Sequence, residues 1–226
     1  MIVLTWNLFH GRAIPERRHP LLGEFAAQLA AWEWDVALLQ EVLPWWPPPL
    51  GRAAGASART ALTSRNQLPA VRRGVAVRRP DLIKSGAGGA NAILVRRAAI
   101  AEHRRVTLRR WPERRVMHAV RLASGPWVAN LHAMAHVEAR ARADVDVAVR
   151  ALGAWAGDAP VVLGGDFNLR RVEVPGFTHA AGHWVDHVLV RGLRPASRPD
   201  RPDRGELSDH QPLRITVREG SPAPRV

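Results

Sequence analysis

Asp166 and Asn168 stand two apart in "VVLGGDFNL", at the end of an apolar run and two glycines. A carboxylate and an amide at that spacing share one face of an extended chain, with Phe167 turned the other way into a core. The pattern recurs. Asn7 closes "MIVLTWN", Glu41 closes "DVALLQE", and Asn130 and His132 close "PWVANLH". Asp186 and His187 lie in "HWVDHVLVRG", and Asp209 and His210 precede "QPLRITV". Brought to one edge, such a set has a definite chemical use. Hard oxygen donors suit Mg²⁺, with Mn²⁺ as the alternative. The ion polarises a phosphoryl oxygen, an aspartate takes a proton from attacking water, and a histidine binds phosphoryl oxygens. An aspartate beside a histidine favours the imidazolium form.

Buried strands must hold these residues. "MIVLTWN", "DVALLQEV", "NAILV", "PWVANLH" and "APVVLGGDFNL" are short apolar runs of that kind, and "RVTLRRWPERRVMHAVRL" reads as a hairpin turning near Trp111 and Pro112. Leu21, Leu22, Phe25, Leu29 and Trp32 recur at helical spacing, and a longer helix is predicted over Val137 to Trp155. The stretch from Pro44 to Ala90, with "PWWPPPLGRAAGASART" and "GAGGA", reads as turns and loop. "RPASRPDRPDRGELS" is a polar loop. The order β-α-β, strands, β-α-β, strands predicts an α/β (α+β) fold: two packed mixed sheets with a helical layer outside each. One domain is expected over residues 1–217, and a disordered tail over 218–226.

"TWN", "LLQEV", "NLH", "GGDFN", "VDHVLV" and "LSDHQPL" occur in the order and context of the endonuclease/exonuclease/phosphatase superfamily, and the resemblance runs from Val3 to Val217. It implies a four-layer α/β/β/α sandwich and a metal-dependent phosphoesterase. In that resemblance Glu41 is the principal metal ligand with Asn7 beside it, and Asp209 is a further carboxylate on the metal side. Asp166 activates water, Asn168 holds the scissile phosphate, and His210 binds the phosphate and is oriented by Asp186. His132 contacts the phosphate from the other side. Asn91, in "GGANAILV", resembles the family's "GNA" strand and is expected near the substrate. The abasic-site branch carries a tyrosine where this chain has His132, and an aspartate where it has Phe9. His132 is similar instead to the deoxyribonuclease and sphingomyelinase branches. The pancreatic branch pairs its histidine with an upstream glutamate; no glutamate lies between Val42 and Ala101 here, and Asp81 is the one acid in that interval.

Each feature has a plainer reading. Asp166 and Asn168 alone could form a turn, Asp209 and His210 could be loop polarity, and Asn7 and Glu41 could be surface strand ends. The collective order of motifs outweighs these. "HAMAH" spaces His132 and His136 like a helical zinc pair but lacks the glutamate of that motif. Trp45 and Trp46 could stack on a base or meet lipid, though packing beneath the proline loop is the stronger expectation.

The net charge of +13 points to a polyanionic partner. Lys84 is the only lysine among 33 basic residues, so arginine-rich codon usage explains the charge equally well. "VRRGVAVRRPDLIK" could track a phosphate backbone through Arg72 and Arg73, or be a solvated face. The leading expectation is a nuclease acting on DNA or RNA. The alternative is a phosphatase or phospholipase C-like enzyme on inositol phosphates or anionic phospholipid head groups. A binding module with a degenerate site is disfavoured, because no matched catalytic position is lost. Absence of cysteine excludes disulfides and thiolate sites. With no signal-like N-terminus and no apolar run near the ~20 residues of a membrane span, a cytoplasmic protein without membrane insertion or obligate protein partner is expected.

Overall fold

In the computed structural model, residues 1–63, Gly74 and 89–220 are described. Two six-stranded sheets pack face to face. The first follows the order β11-β12-β1-β2-β4-β3: β1 is Ile2–Asn7, β2 Val36–Val42, β3 Ser57–Leu62, β4 Ala90–Val95, β11 Leu193–Pro195 and β12 Leu213–Glu219. The second follows β5-β6-β7-β8-β10-β9: β5 is Ile100–Arg109, β6 Arg115–Leu122, β7 Trp127–His132, β8 Val161–Asp166, β9 Thr178–His183 and β10 Asp186–Arg191. Helices α1 (Leu22–Ala31) and α2 (Pro47–Ala53) cover the outer face of the first sheet, and α3 (Glu138–Ala156) covers the second. This is the four-layer sandwich expected.

Strand alternation explains the layers. In β1, Leu4 and Trp6 point outward to α1, where Trp6 meets Phe25 and Trp32 at centroid distances of 5.0 Å each, while Val3 points inward. In β7, Trp127, Ala129 and Leu131 pack towards α3, while Val128 faces the other sheet. The layer between the sheets changes character along its length. At one end Val3, Val36, Leu38, Ile93, Val128 and Val162 interlock. Towards the other end the buried residues become Thr5, Gln40, Asn91, His118 and Asn130, then the candidate site.

The structure departs from the sequence reading between Glu41 and Ala90, where β3 also forms at Ser57–Leu62, and at the end of the last strand. The proline-rich segment after Glu41 is helical at Pro47–Ala53, since proline fits the first turn of a helix, where its missing N–H costs nothing. Trp46 is buried against Phe25 at 5.5 Å and Trp45 packs beside it, so both serve the core, in line with the stronger expectation from the sequence. Finally, β12 runs through Glu219, beyond the expected domain end at 217. Arg72, Arg73 and Lys84 lie outside the described residues.

Candidate active site

Two parallel β-α-β units set the site. β1 runs parallel to β2 with Asn7 opposite Gln40, and β7 runs parallel to β8 with His132 opposite Asp166. β10 returns antiparallel, with Asp186 opposite Asp166. The carboxyl ends of β1, β2, β7 and β8 therefore meet at one edge of the sandwich.

Tight backbone makes this convergence possible. Gly165 has φ 140°, and a Cβ there would lie 1.9 Å from the Leu131 carbonyl oxygen. A Cβ on Gly164 would lie 2.6 Å from Leu38 of the facing sheet. These glycines let strand approach strand and sheet approach sheet. Asp166 and Asn168 do not meet by strand alternation, as the sequence suggested, because β8 ends at Asp166. Asn168 instead turns into left-handed backbone, φ 51°, and its N–H donates to Asp166 Oδ1 at 2.9 Å. Phe167 is buried in the core, as expected.

Asp166 is almost fully buried, and Asn7 Nδ2 donates to its Oδ2 at 3.0 Å. Burial and the nearby Asp186 charge hold its carboxyl well above the usual carboxylate range, against the opposing pull of His210 and the two amide donors. Asp186 Oδ2 accepts from His210 Nδ1 at 2.8 Å. Burial alone would lower the imidazole, but that hydrogen bond, the Asp186 charge and the charges of Asp166 and Asp209 carry it up to about 9. His210 is thus an imidazolium with Nε2 directed towards Asp166 Oδ2, 3.9 Å away. His132 is the opposite case. Burial, then the positive charges of Arg115, His210 and His10, hold it well below the ordinary histidine range, so it is neutral. Its Nε2 lies 3.5 Å from Asp166 Oδ2 and 3.8 Å from Glu41 Oε1, linking the two carboxylates.

Asn168 Nδ2 donates to the Ala133 carbonyl at 3.0 Å, which fixes the amide at the site edge. Asp209 is partly exposed, 4.0 Å from His210 Nε2. Asn91 lies elsewhere. It is fully buried between the sheets, and its amide donates to the Val116 carbonyl at 2.8 Å. Direct substrate contact by Asn91 is therefore corrected to a structural role, because no part of it reaches the surface.

Ser208 and His10 were missed in the sequence. Ser208 is buried, donates to the Asn7 carbonyl at 2.6 Å and accepts from the His210 N–H at 3.0 Å, which fastens the histidine loop to β1. Gln40 and Asn130 bond across the sheets at 2.8 Å, and Asn130 also donates to the carbonyls of Leu39 and Ala92. His10 lies 3.1 Å from Glu41 Oε2. A cavity of about 550 Å³ adjoins Glu41 and His132 and is lined by His10, Arg12, Arg114, Arg115 and His136. A second cavity, of about 420 Å³, lies beside Asn168 and is lined by Arg142, Arg170, Arg171, Trp184 and again His136. His136 thus lines both cavities, one beside Glu41 and His132 and the other beside Asn168, and each holds arginines together with carboxylates, Glu41 and Glu113 in the first and Glu138 in the second.

The Endonuclease/Exonuclease/phosphatase family profile matches residues 4–210. This chain belongs to that family. It is a phosphoester hydrolase with a phosphate-bearing substrate. No curated protein matches it significantly. Solved structures share its fold. An endonuclease/exonuclease/phosphatase from Beutenbergia cavernae superposes with a TM-score of 0.74 at 18% identity, over 97% of this chain and 72% of that one. A humanized TDP2 of D. rerio gives 0.72 at 16% identity, over 96% and 98%. The mannosyl-6-phosphatase of Bacteroides thetaiotaomicron gives 0.64 at 14% identity, over 96% and 99%.

The family's divalent-ion chemistry can be tested against the donors present. Asp166, Asp186 and His210 place ligand atoms within 4.8 Å of one another. His210 is poorly suited to a dication, since it is held as a cation and its Nδ1 is engaged by Asp186. Glu41 offers an accessible carboxylate at the cavity wall, and Asp209 adds exposed carboxylate oxygen. Such donors fit a hard divalent ion.

Proposed function

We propose that this protein is a Mg²⁺-dependent phosphodiesterase that cleaves nucleic acid by in-line attack of water. The observation carrying the reading is the pair of arginine-lined cavities that share His136, one beside Glu41 and His132 and the other beside Asn168. A phosphodiester extends from phosphorus in two directions, and arginine lines both. A phosphomonoester would use one.

The residues divide the chemistry. Glu41, with Asn7 and Asp209, would hold the ion, which neutralises charge on the phosphoryl oxygens. Asp166 has the raised proton affinity needed to accept a proton from attacking water near neutral pH. Asn7 Nδ2 and the Asn168 N–H fix the orientation of that carboxylate. His210 Nε2–H, kept charged by Asp186, donates to the phosphoryl oxygen as negative charge develops. Neutral His132 adds a donor or acceptor from the opposite side without adding charge.

The test is hydrolysis of plasmid DNA, single strands, RNA, inositol phosphates and phospholipid with Mg²⁺, Mn²⁺ or EDTA. Nucleic acid cleavage is expected, with Asp166→Ala and His210→Ala each losing about 10²–10⁴-fold in kcat. Cleavage confined to inositol phosphates or lipid would replace nucleic acid as the substrate. Activity surviving both substitutions would overturn the mechanism.

A further inference from the structure

Phe9 and His10 are consecutive non-glycine residues in left-handed backbone, with φ of 49° and 54°. Such residues are seldom adjacent, because the Cβ crowds the carbonyl oxygen, and strain of this kind persists only where the surroundings enforce it. Here the enforcement is visible. The Leu8 N–H donates to the Gln40 carbonyl at 2.8 Å, the Phe9 N–H donates to Asn7 Oδ1 at 2.9 Å, and the Gly11 N–H donates back to Leu8 at 2.8 Å. The chain leaving β1 is bent so that the His10 ring points at Glu41, with Nε2 3.1 Å from Oε2. Glu41 is distorted as well, with φ 49° at an irregularity in the β2–β4 pairing. Two strained segments thus aim a nitrogen and an oxygen at each other on the cavity wall. Among the described residues His10 Nδ1 is buried without a hydrogen-bond partner, and Nε2 makes the ring's polar contact with Glu41. Nothing in the hydrolytic scheme above uses it.

We infer that His10 is a nitrogen ligand to the divalent ion held at Glu41, making a mixed oxygen–nitrogen site that prefers a first-row transition ion such as Mn²⁺ to Mg²⁺. The inference rests on the metal-dependent reading of the same site. The 3.1 Å separation is close to the ~3 Å between neighbouring ligand atoms on an octahedral ion with bonds near 2.1 Å. Imidazole suits transition ions, whereas Mg²⁺ favours oxygen and keeps its waters.

The test titrates Mn²⁺ and Mg²⁺ calorimetrically into the wild-type protein and His10→Asn, and records nitrogen couplings of bound Mn²⁺ by pulsed electron paramagnetic resonance. Asparagine tolerates left-handed backbone, but its side chain is too short to reach an ion at Glu41. The wild type should bind Mn²⁺ more tightly than Mg²⁺ and show imidazole coupling. His10→Asn should lose one coupled nitrogen and about tenfold or more in Mn²⁺ affinity, with a smaller change for Mg²⁺. A wild-type Mn²⁺ complex with no nitrogen coupling overturns the inference whatever the variant does. So does His10→Asn with coupling and affinity unchanged. If Mg²⁺-supported phosphodiester cleavage persists in those cases, the functional reading stands and only the ligand assignment falls. A protein that binds no divalent ion and cleaves nothing ends both.

Discussion

Asp186 acts through His210 rather than on substrate. One of its oxygens accepts the 2.8 Å bond from Nδ1, and the other is buried without a hydrogen-bond partner among the described residues. Its negative charge is what raises the imidazole in a buried setting that would otherwise lower it. Asp186→Asn keeps an acceptor of the same shape but removes the charge. We expect kcat to fall about 10²-fold with little change in KM; steady-state kinetics on a diester would show this, and an unchanged kcat would remove Asp186 from the mechanism. A different histidine governs stability. His118 is fully buried, bonded to His103 at 3.1 Å, and burial with the neighbouring His103 charge pushes its pKa down to about 3. Unfolded, a histidine titrates near 6.5. Between those values the unfolded chain binds a proton that the folded one refuses, so stability is present above pH 6.5 and lost as pH falls towards 3. His118→Leu should flatten that dependence by up to about 1.4 kcal/mol per pH unit relative to wild type, measured by denaturant titration at several pH values. Identical slopes would mean that His118 is protonated in the fold.

At the scale of elements, register does the positioning, and register depends on glycine and on polar cross-links. Alanine at Gly165 would need φ 140° and would collide with the Leu131 carbonyl. Gly165→Ala should cost more than about 2 kcal/mol, whereas Gly23→Ala, in α1 with open space around it, should be neutral or gain about 0.5 kcal/mol. Chemical denaturation distinguishes the two, and a mild Gly165→Ala would show that β7 and β8 can separate without loss. These elements also explain what the sequence disclosed. β1, β2, β7 and β8 are continuous apolar runs because both faces are covered, and their polar ends were therefore conspicuous. β3 and β9 terminate their sheets, are half-exposed, and read "SARTAL" and "THAAGH", with little to separate them from loop. Proline in α2 concealed a helix. Glu41, Asp166, Asp186 and His210 stood out in the sequence because each sits at, or just before, the end of a buried strand. His10 and Ser208 were not, since tertiary hydrogen bonds create the turns that aim them.

Over the whole molecule, the charge of +13 has two explanations, a polyanionic substrate or arginine-rich codon usage, and they differ in where the charge acts. Codon usage would scatter arginine without regard to the site. The described residues place Arg12, Arg114 and Arg115 on one cavity wall and Arg142, Arg170 and Arg171 on the other. Some of this charge is already countered: Arg12 pairs with Glu16 at 3.4 Å, Arg115 with Glu113 at 2.6 Å and Arg142 with Glu138 at 2.6 Å. The net effect on a polyanion therefore has to be measured. A duplex held across both cavities meets several backbone phosphates, and counterion release then gives a slope in log K against log salt concentration well steeper than about −1. Binding of a catalytically silenced Asp166→Ala protein to a labelled duplex, followed by fluorescence anisotropy across a salt series, reads this slope directly. A single phosphorylated head group would give a slope near −1. Arg115→Ala and Arg171→Ala test the geometry, since each should make the slope shallower by up to about one if it meets a backbone phosphate. A steep slope that neither substitution alters would place the anion contacts outside the two cavities, and the diester would then lie across a different face of the sandwich.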